Sequence, residues 1–163
     1  MSKTNVVGER GVLSRLTSRV ITLGALAARP MTLGVRGLVV DPSNRVLLVR
    51  HTYISGYYLP GGGVEAGETL EQALERELAE EGNIVLEGPA ALHGVYLNRR
   101  VSRRDHVALF VVRAFRQRAP RAPDREIAEA NFFALNELPE GATRATRARL
   151  AEIFDGAAFS PYW

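Results

Sequence analysis

The alternation of apolar and polar positions divides the chain into short segments. Residues 32–40, TLGVRGLVV, read as a strand, and the turn Asp-Pro-Ser-Asn leads into a second one, RVLLVRH, at Arg45–His51. Residues 52–63, TYISGYYLPGGG, are strand-poor, with glycines that permit tight backbone geometry. The strongest helix runs from Thr69 to Gly82, where Leu70, Ala73, Leu74 and Leu78 form one stripe. Short strands follow around 84–87 and 91–98, then an arginine loop, NRRVSRRD. Residues 106–115, HVALFVVRAF, are nearly all apolar, as in a strand buried on both faces. QRAPRAPD reads as a loop, EANFFAL as a further strand, and Arg144–Phe154 as a closing helix. Strands broken by one early and one late helix predict an α+β fold, a mixed sheet covered by helices.

The first 30 residues stand apart. Leu13, Leu16, Val20 and Leu23 recur at helical spacing with Arg15 and Arg19 on another face, which predicts an amphipathic helical extension. The competing reading is an export signal, with residues 1–28 cleaved. No apolar run reaches the roughly 18–20 residues of a membrane span, so none is expected. The 163 residues suit one main domain, and the absence of cysteine excludes disulfides, thiolate metal sites and cysteine nucleophiles.

Charge changes the picture more than composition does. The net charge of +3 conceals an acidic island, residues 61–88, where eight acids face Arg76 alone. On a wheel of about 100° per residue, Glu71 and Glu75 fall on the solvated half of the helix and carry no assigned function. Glu77 and Glu81 fall inside the apolar stripe, aimed at the protein body. Buried and unpaired, such carboxylates would cost several kcal/mol each or be forced to protonate. Arg76 cannot neutralise Glu77, Glu80 and Glu81 together. A hard divalent cation, Mg²⁺ or Mn²⁺, can; an internal salt-bridge cluster is the alternative. Gly61, Gly62 and Gly63 let backbone approach a ligand closely, and with inward carboxylates behind them they suit a metal–phosphate site better than a plain turn.

These residues resemble the Nudix box, G-x5-E-x7-R-E-U-x-E-E-x-G-U with U a bulky aliphatic. Gly62, Glu68, Arg76, Glu77, Leu78, Glu80, Glu81 and Ile84 match in register. The second glycine of the pattern falls on Asn83, with Gly82 one place earlier; asparagine tolerates the left-handed geometry that ends a helix. The resemblance extends over residues 31–155, leaving 1–30 as the extension and 156–163 as a C-terminal tail. It implies an α/β/α sandwich, a Nudix-type mixed sheet between helices. It also implies divalent-metal-dependent hydrolysis of a phosphoanhydride in a nucleoside diphosphate linked to another moiety. Carried over by position, Glu77, Glu80 and Glu81 hold the metal, Arg76 orients them, and Glu68 is an auxiliary acid. Backbone around Gly61 and Gly62 would supply a further ligand or a phosphate contact. The proton acceptor is either Glu81 or Glu126, the latter preceding ANFFAL where relatives keep an extra acid.

Substrate clues are weaker. Arg99, Arg100, Arg103 and Arg104 on one loop suit distal phosphates or a 5′-RNA end, against a merely solvated basic loop. Arg36, alone in GVRGLVV, points either inward toward substrate phosphate or outward. His106, Phe132 and Phe133 read as structural, and Tyr53, Tyr57, Tyr58 and Tyr96 as packing before base stacking. Nucleoside triphosphates, dinucleoside polyphosphates, nucleotide sugars and capped RNA all stay open. A nucleotide-sensing or RNA-binding module that has lost catalysis is the rival class, although no box acid is degenerate. A cytoplasmic location and a homodimer are further expectations.

Overall fold

The computed structural model describes residues 30–163; the extension expected over 1–30 lies outside the described residues apart from Arg29's neighbour Pro30. Among the described residues seven strands and two α-helices follow in order: β1 (Thr32–Val39), β2 (Arg45–His51), α1 (Leu70–Gly82), β3 (Ile84–Leu86), β4 (Ala91–Leu97), β5 (Asp105–Val112), β6 (Phe115–Gln117), β7 (Ile127–Ala134) and α2 (Arg144–Phe154), with a 3-10 turn at Leu135–Glu137 between the last two. β5 lies at the centre of a mixed sheet, parallel to β1 and antiparallel to β4. β2 pairs with β7 and β3 with β6, both antiparallel.

Period-two alternation explains the layering. Along β1, Val35 and Val39 enter one core with Leu74 and Leu78 of α1, while Leu38 enters a second core with Leu150 of α2. β2 divides the same way, Leu47 and Val49 toward α1 and Val46 and Leu48 toward α2. β5 is buried on both faces, as its apolar run predicts, with Ala108 and Phe110 in the first core and Leu109 in the second. One helix therefore covers each side of the strands, the sandwich that the resemblance implies.

α1 starts on a reciprocal capping box: Thr69 accepts from the Gln72 amide and the Gln72 side chain accepts from the Thr69 amide. It stops at Asn83, whose φ of 54° is left-handed and whose amide donates to Ala79 and Leu78 carbonyls. Gly82 is needed for a different reason. A Cβ there would lie 2.7 Å from Leu47 Cδ2, so the helix end packs against β2 without a side chain between them.

One expectation needs correction. The apolar run 106–115 is not a single strand. β5 ends at Val112, Arg113 and Ala114 are exposed, and Phe115 opens β6 on the β3 edge. Period-two alternation resumes there, with Phe115 and Gln117 half-buried around exposed Arg116. Residues 156–163, set apart as a tail by sequence, pack back on β4: the Leu97 amide donates to Pro161 O at 2.9 Å and the Trp163 amide to Leu97 O at 3.2 Å. Among the described residues no helix is long and apolar enough to cross a membrane.

Candidate active site

The glycine loop is stitched to β1. Val35 N donates to Gly62 O and Gly37 N to Pro60 O, each at 2.9 Å. Gly61 has φ of +140°, and a Cβ on it would lie 2.2 Å from Val35 O. A Cβ on Gly62 would lie 2.3 Å from Glu77 Oε1. Neither position has room for a side chain, so backbone stands directly against the acids of α1.

Glu81 is buried, as its place in the apolar stripe predicts. Its Oε2 accepts from the Gly61 amide at 2.7 Å. Burial pushes its carboxyl up to about 7; the Gly61 bond and the Arg36 charge oppose that rise, while Glu77 and Glu126 add to it. His51, the last residue of β2, places Nε2 3.5 Å from Glu81 Oε1. Its pKa is lowered, first by burial and then by Arg36, so the pair is a contact of a neutral imidazole rather than an ion pair. His51 was not singled out in the sequence. The signal was there, since it continues the Leu47, Val49 side of β2 toward α1.

Arg76 is the clamp on the outer side. Its Nε and Nη2 donate to the two Glu68 oxygens at 2.9 and 3.0 Å, and its Nη1 donates to Glu77 Oε1 at 2.7 Å. Nη2 also donates to Gly63 O at 3.0 Å, and Glu80 Oε2 lies 3.6 Å from Nη1. The hydrogen bond from Arg76 holds the Glu68 carboxyl down at about 2. Glu80 is largely exposed, Glu71 and Glu75 fully on the solvent side.

Glu77, Glu80, Glu81 and Glu126 line one cavity of about 230 Å³, together with Arg121, Asp124 and Ile127. The loop bearing Glu126 is held there by residues that sequence reasoning missed. Arg121 Nε donates to Glu80 O at 2.7 Å, and its Nη2 pairs with Asp124. Asp124 accepts from the Glu126 and Ile127 amides, bonds that with Arg121 draw its carboxyl down to about 2, the Ile127 amide foremost. Nothing local in QRAPRAPD distinguishes these two residues from solvated loop charges. Among the described residues no three carboxylates or imidazoles are already gathered around one point. The donor set nevertheless fits a hard divalent cation: oxygen ligands on two facing segments, one of them a buried carboxylate that lacks a full counter-charge because Arg76 is spent on Glu68 and Glu77.

Arg36 resolves to the inner side. Its Nη1 donates to Leu59 O at 3.1 Å and also to Gly61 O, beneath the loop. The Gly61 carbonyl, expected to serve a ligand, is thus engaged by Arg36, and the Gly61 amide by Glu81. Arg99, Arg103 and Arg104 do not line the cavity of the acids. Arg99 lies over the Tyr162 ring at 4.0 Å and donates to its hydroxyl at 2.7 Å; Arg103 and Arg104 are exposed. Arg100 lines a second cavity, of about 350 Å³, which also takes in Arg36, Tyr58 and Leu59. Of the tyrosines, Tyr96 is core, Tyr57 donates to Glu129 at 2.6 Å, Tyr53 is exposed, and only Tyr58 faces that cavity.

A mixed sheet between two helices, the first of which carries inward carboxylates behind a glycine loop, defines a class: the Nudix fold. The chain belongs to the Nudix hydrolase family, whose NUDIX domain model matches residues 30–154. It is 33% identical over 107 residues to the ADP-ribose pyrophosphatase of Methanocaldococcus jannaschii, covering 63% of this chain and 62% of that protein, somewhat less than two thirds of its length. It is 32% identical over 129 residues to a MutT-like protein of Streptomyces ambofaciens, covering 77% of this chain and 79% of that one. Among solved structures, a MutT NUDIX hydrolase from Burkholderia pseudomallei is 29% identical and superposes with a TM-score of 0.64 over 75% of this chain and 97% of its own.

Proposed function

We propose that the chain is a divalent-metal-dependent pyrophosphohydrolase that cleaves a phosphoanhydride bond in a nucleoside diphosphate linked to another moiety. The observation that carries this reading is the meeting of Glu77, Glu80, Glu81 and Glu126 on one cavity, with the Glu81 carboxyl pushed up to about 7 by burial and, to a lesser degree, by its neighbours Glu77 and Glu126. Glu77, Glu80 and Glu81 would hold Mg²⁺ or Mn²⁺, which supplies charge neutralisation of the diphosphate and acidifies water. Arg76 fixes Glu77 in place through a fork it shares with Glu68. Glu81 is positioned rather than mobile, one oxygen on the Gly61 amide and the other beside His51. Glu126, exposed on the facing loop, is the side chain left to accept the proton of the attacking water. Arg36, which lines the neighbouring cavity and bonds the Leu59 and Gly61 carbonyls beneath the glycine loop, would be the fixed positive contact for the diphosphate.

The test is release of phosphate, pyrophosphate or nucleoside monophosphate from a panel, with Mg²⁺ and with Mn²⁺. The panel holds ADP-ribose, nucleoside triphosphates, dinucleoside polyphosphates, nucleotide sugars and 5′-triphosphate RNA, each run beside Glu81→Gln and Glu126→Gln. Turnover of one class, lost by a hundredfold or more in both variants, supports the reading. Metal and nucleotide binding without any turnover moves the chain to the sensing class.

A further inference from the structure

The family match ends at residue 154, yet the segment beyond it is built into the molecule. Phe159 packs on Tyr96 with ring centroids 5.0 Å apart, in a space kept open by Gly94, where a Cβ would lie 2.6 Å from the Phe159 ring. The backbone of 161–163 exchanges two hydrogen bonds with Leu97 at the β4 edge. Underneath lies an ion pair buried on both sides, Arg149 to Glu152 at 2.7 Å. Glu152 also accepts from the Ser160 amide and the Tyr96 hydroxyl, each at 2.9 Å, and Arg149 donates to Tyr162 O at 2.9 Å. The strap supplies two of the hydrogen bonds that let a charged pair lie this deep, while Arg149 Nε has no partner and the guanidinium lies over the Tyr96 ring at 4.1 Å.

The strap ends against the cavity that begins at Arg36. Trp163 forms one wall, its indole in an edge contact with Tyr96 at 5.5 Å; Ile54, Tyr58, Leu59 and Val101 give further apolar lining, and Asn98, Thr143 and Thr146 a polar part. Arg36 closes the inner end, where its guanidinium touches the carbonyls of the glycine loop beside Glu81. Arg100 stands on the rim, and the same Trp163 and Arg100 border an adjoining cavity of about 330 Å³. This cavity shares no lining residue with that of the acids, and the link between them is Gly61, whose carbonyl accepts from Arg36 and whose amide donates to Glu81; a substrate with its diphosphate at Arg36 would extend its other half toward an aromatic wall. About 350 Å³ is within the range of small-ligand pockets.

We propose that Trp163, held by the strap 156–163, is a specificity-determining residue that packs against the nucleobase of the substrate. This rests on the hydrolase reading for its substrate, but not for its test. Trp163 is the sole tryptophan of the chain, so its emission reports the cavity directly. The experiment titrates AMP, GMP, CMP and UMP into the full chain without metal, with ribose 5-phosphate as the control that lacks a ring. Saturable quenching by at least one nucleotide and none by ribose 5-phosphate is the expected result. Unchanged emission with all four nucleotides overturns the proposal. In turnover, Trp163→Ala should raise KM roughly tenfold with little change in kcat, and Trp163→Phe should restore most of the loss, since a stacked base tolerates any aromatic face. An unchanged KM, or a fall confined to kcat, overturns it as well. Should Trp163→Ala unfold, seen as a lost melting transition, the emission titration of the unaltered chain decides. Quenching without any hydrolysis would sink the proposed function and leave this inference standing.

Discussion

The Gly61 amide donates to Glu81 Oε2 at 2.7 Å, and that bond joins the glycine loop to the one box carboxylate removed from water. It is not enough to keep Glu81 ionised. Burial outweighs it and lifts the carboxyl from 4.5 to about 7. A folded-state value above the unfolded one stabilises the protein fully below pH 4.5, and this contribution is lost as pH rises through 7. In EDTA the melting temperature should fall between pH 5 and pH 8, by an amount worth at most about 3 kcal/mol from this group. Glu81→Gln should flatten that fall and leave the metal-free protein more stable than the parent at pH 8. His51 acts in the opposite sense, its lowered value favouring the folded state as pH rises toward 6.5, so the difference between parent and variant is the quantity to read. Parallel melting curves for the two proteins across the range would refute the burial argument.

Arg76 is asked to do two things at once, hold Glu68 by two bonds and Glu77 by one. Lysine keeps the charge and loses the fork. Arg76→Lys should therefore weaken Mn²⁺ binding by about tenfold to a hundredfold, the usual cost of removing a partner that orients a ligand. Glu68→Gln should cost less, because Glu77 keeps its own bond to the guanidinium. Titration calorimetry with Mn²⁺ orders the three proteins, and equal affinities would show that Glu77 needs no orienting.

The three adjacent glycines should separate cleanly. Gly61→Ala meets backbone at 2.2 Å with φ at +140° and should destabilise by about 2–4 kcal/mol. Gly62→Ala meets Glu77 Oε1 at 2.3 Å and should displace that carboxylate, removing activity at little cost to the fold. Gly63 has nothing within 4 Å of an added Cβ, so Gly63→Ala should be nearly neutral in both respects. Melting temperature and turnover on the best panel substrate check the order. A Gly62→Ala enzyme of full activity would mean that Glu77 has freedom the packing denies it.

The fold and the α1 acids were legible because their signals are local. Helical spacing alone separates Glu77 and Glu81 from Glu71 and Glu75, and the burial of Glu81 agrees with it. Alternation along RVLLVRH likewise carried enough to put His51 on the α1 side. What escaped depends on contacts distant in sequence. Arg121 anchors the Glu126 loop by bonding Glu80 O, 41 residues away, and no composition rule marks it among the arginines of its loop. Arg149 looks like any helix-surface arginine in RATRARLAEIF, yet it is buried because the strap and Tyr96 close over it. Residues 156–163 read as a tail outside the domain for the same reason: their partners lie on β4 and α2.

That strap gives the last prediction. Glu152 satisfies Arg149, Tyr96 and the Ser160 amide together, so removing it leaves a buried guanidinium with no opposing charge. Breaking a buried pair from one side costs about 3–5 kcal/mol. Glu152→Ala should lose about that much in urea unfolding, whereas Arg149→Met with Glu152→Leu, which removes both charges and keeps apolar volume, should recover part of it. The single mutant should also release the end of the strap, shifting Trp163 emission toward the red as the ring meets water. A destabilised Glu152→Ala protein with unshifted emission would show that the ion pair stabilises α2 alone, and that the two backbone bonds to Leu97 are sufficient to hold Trp163 against β4.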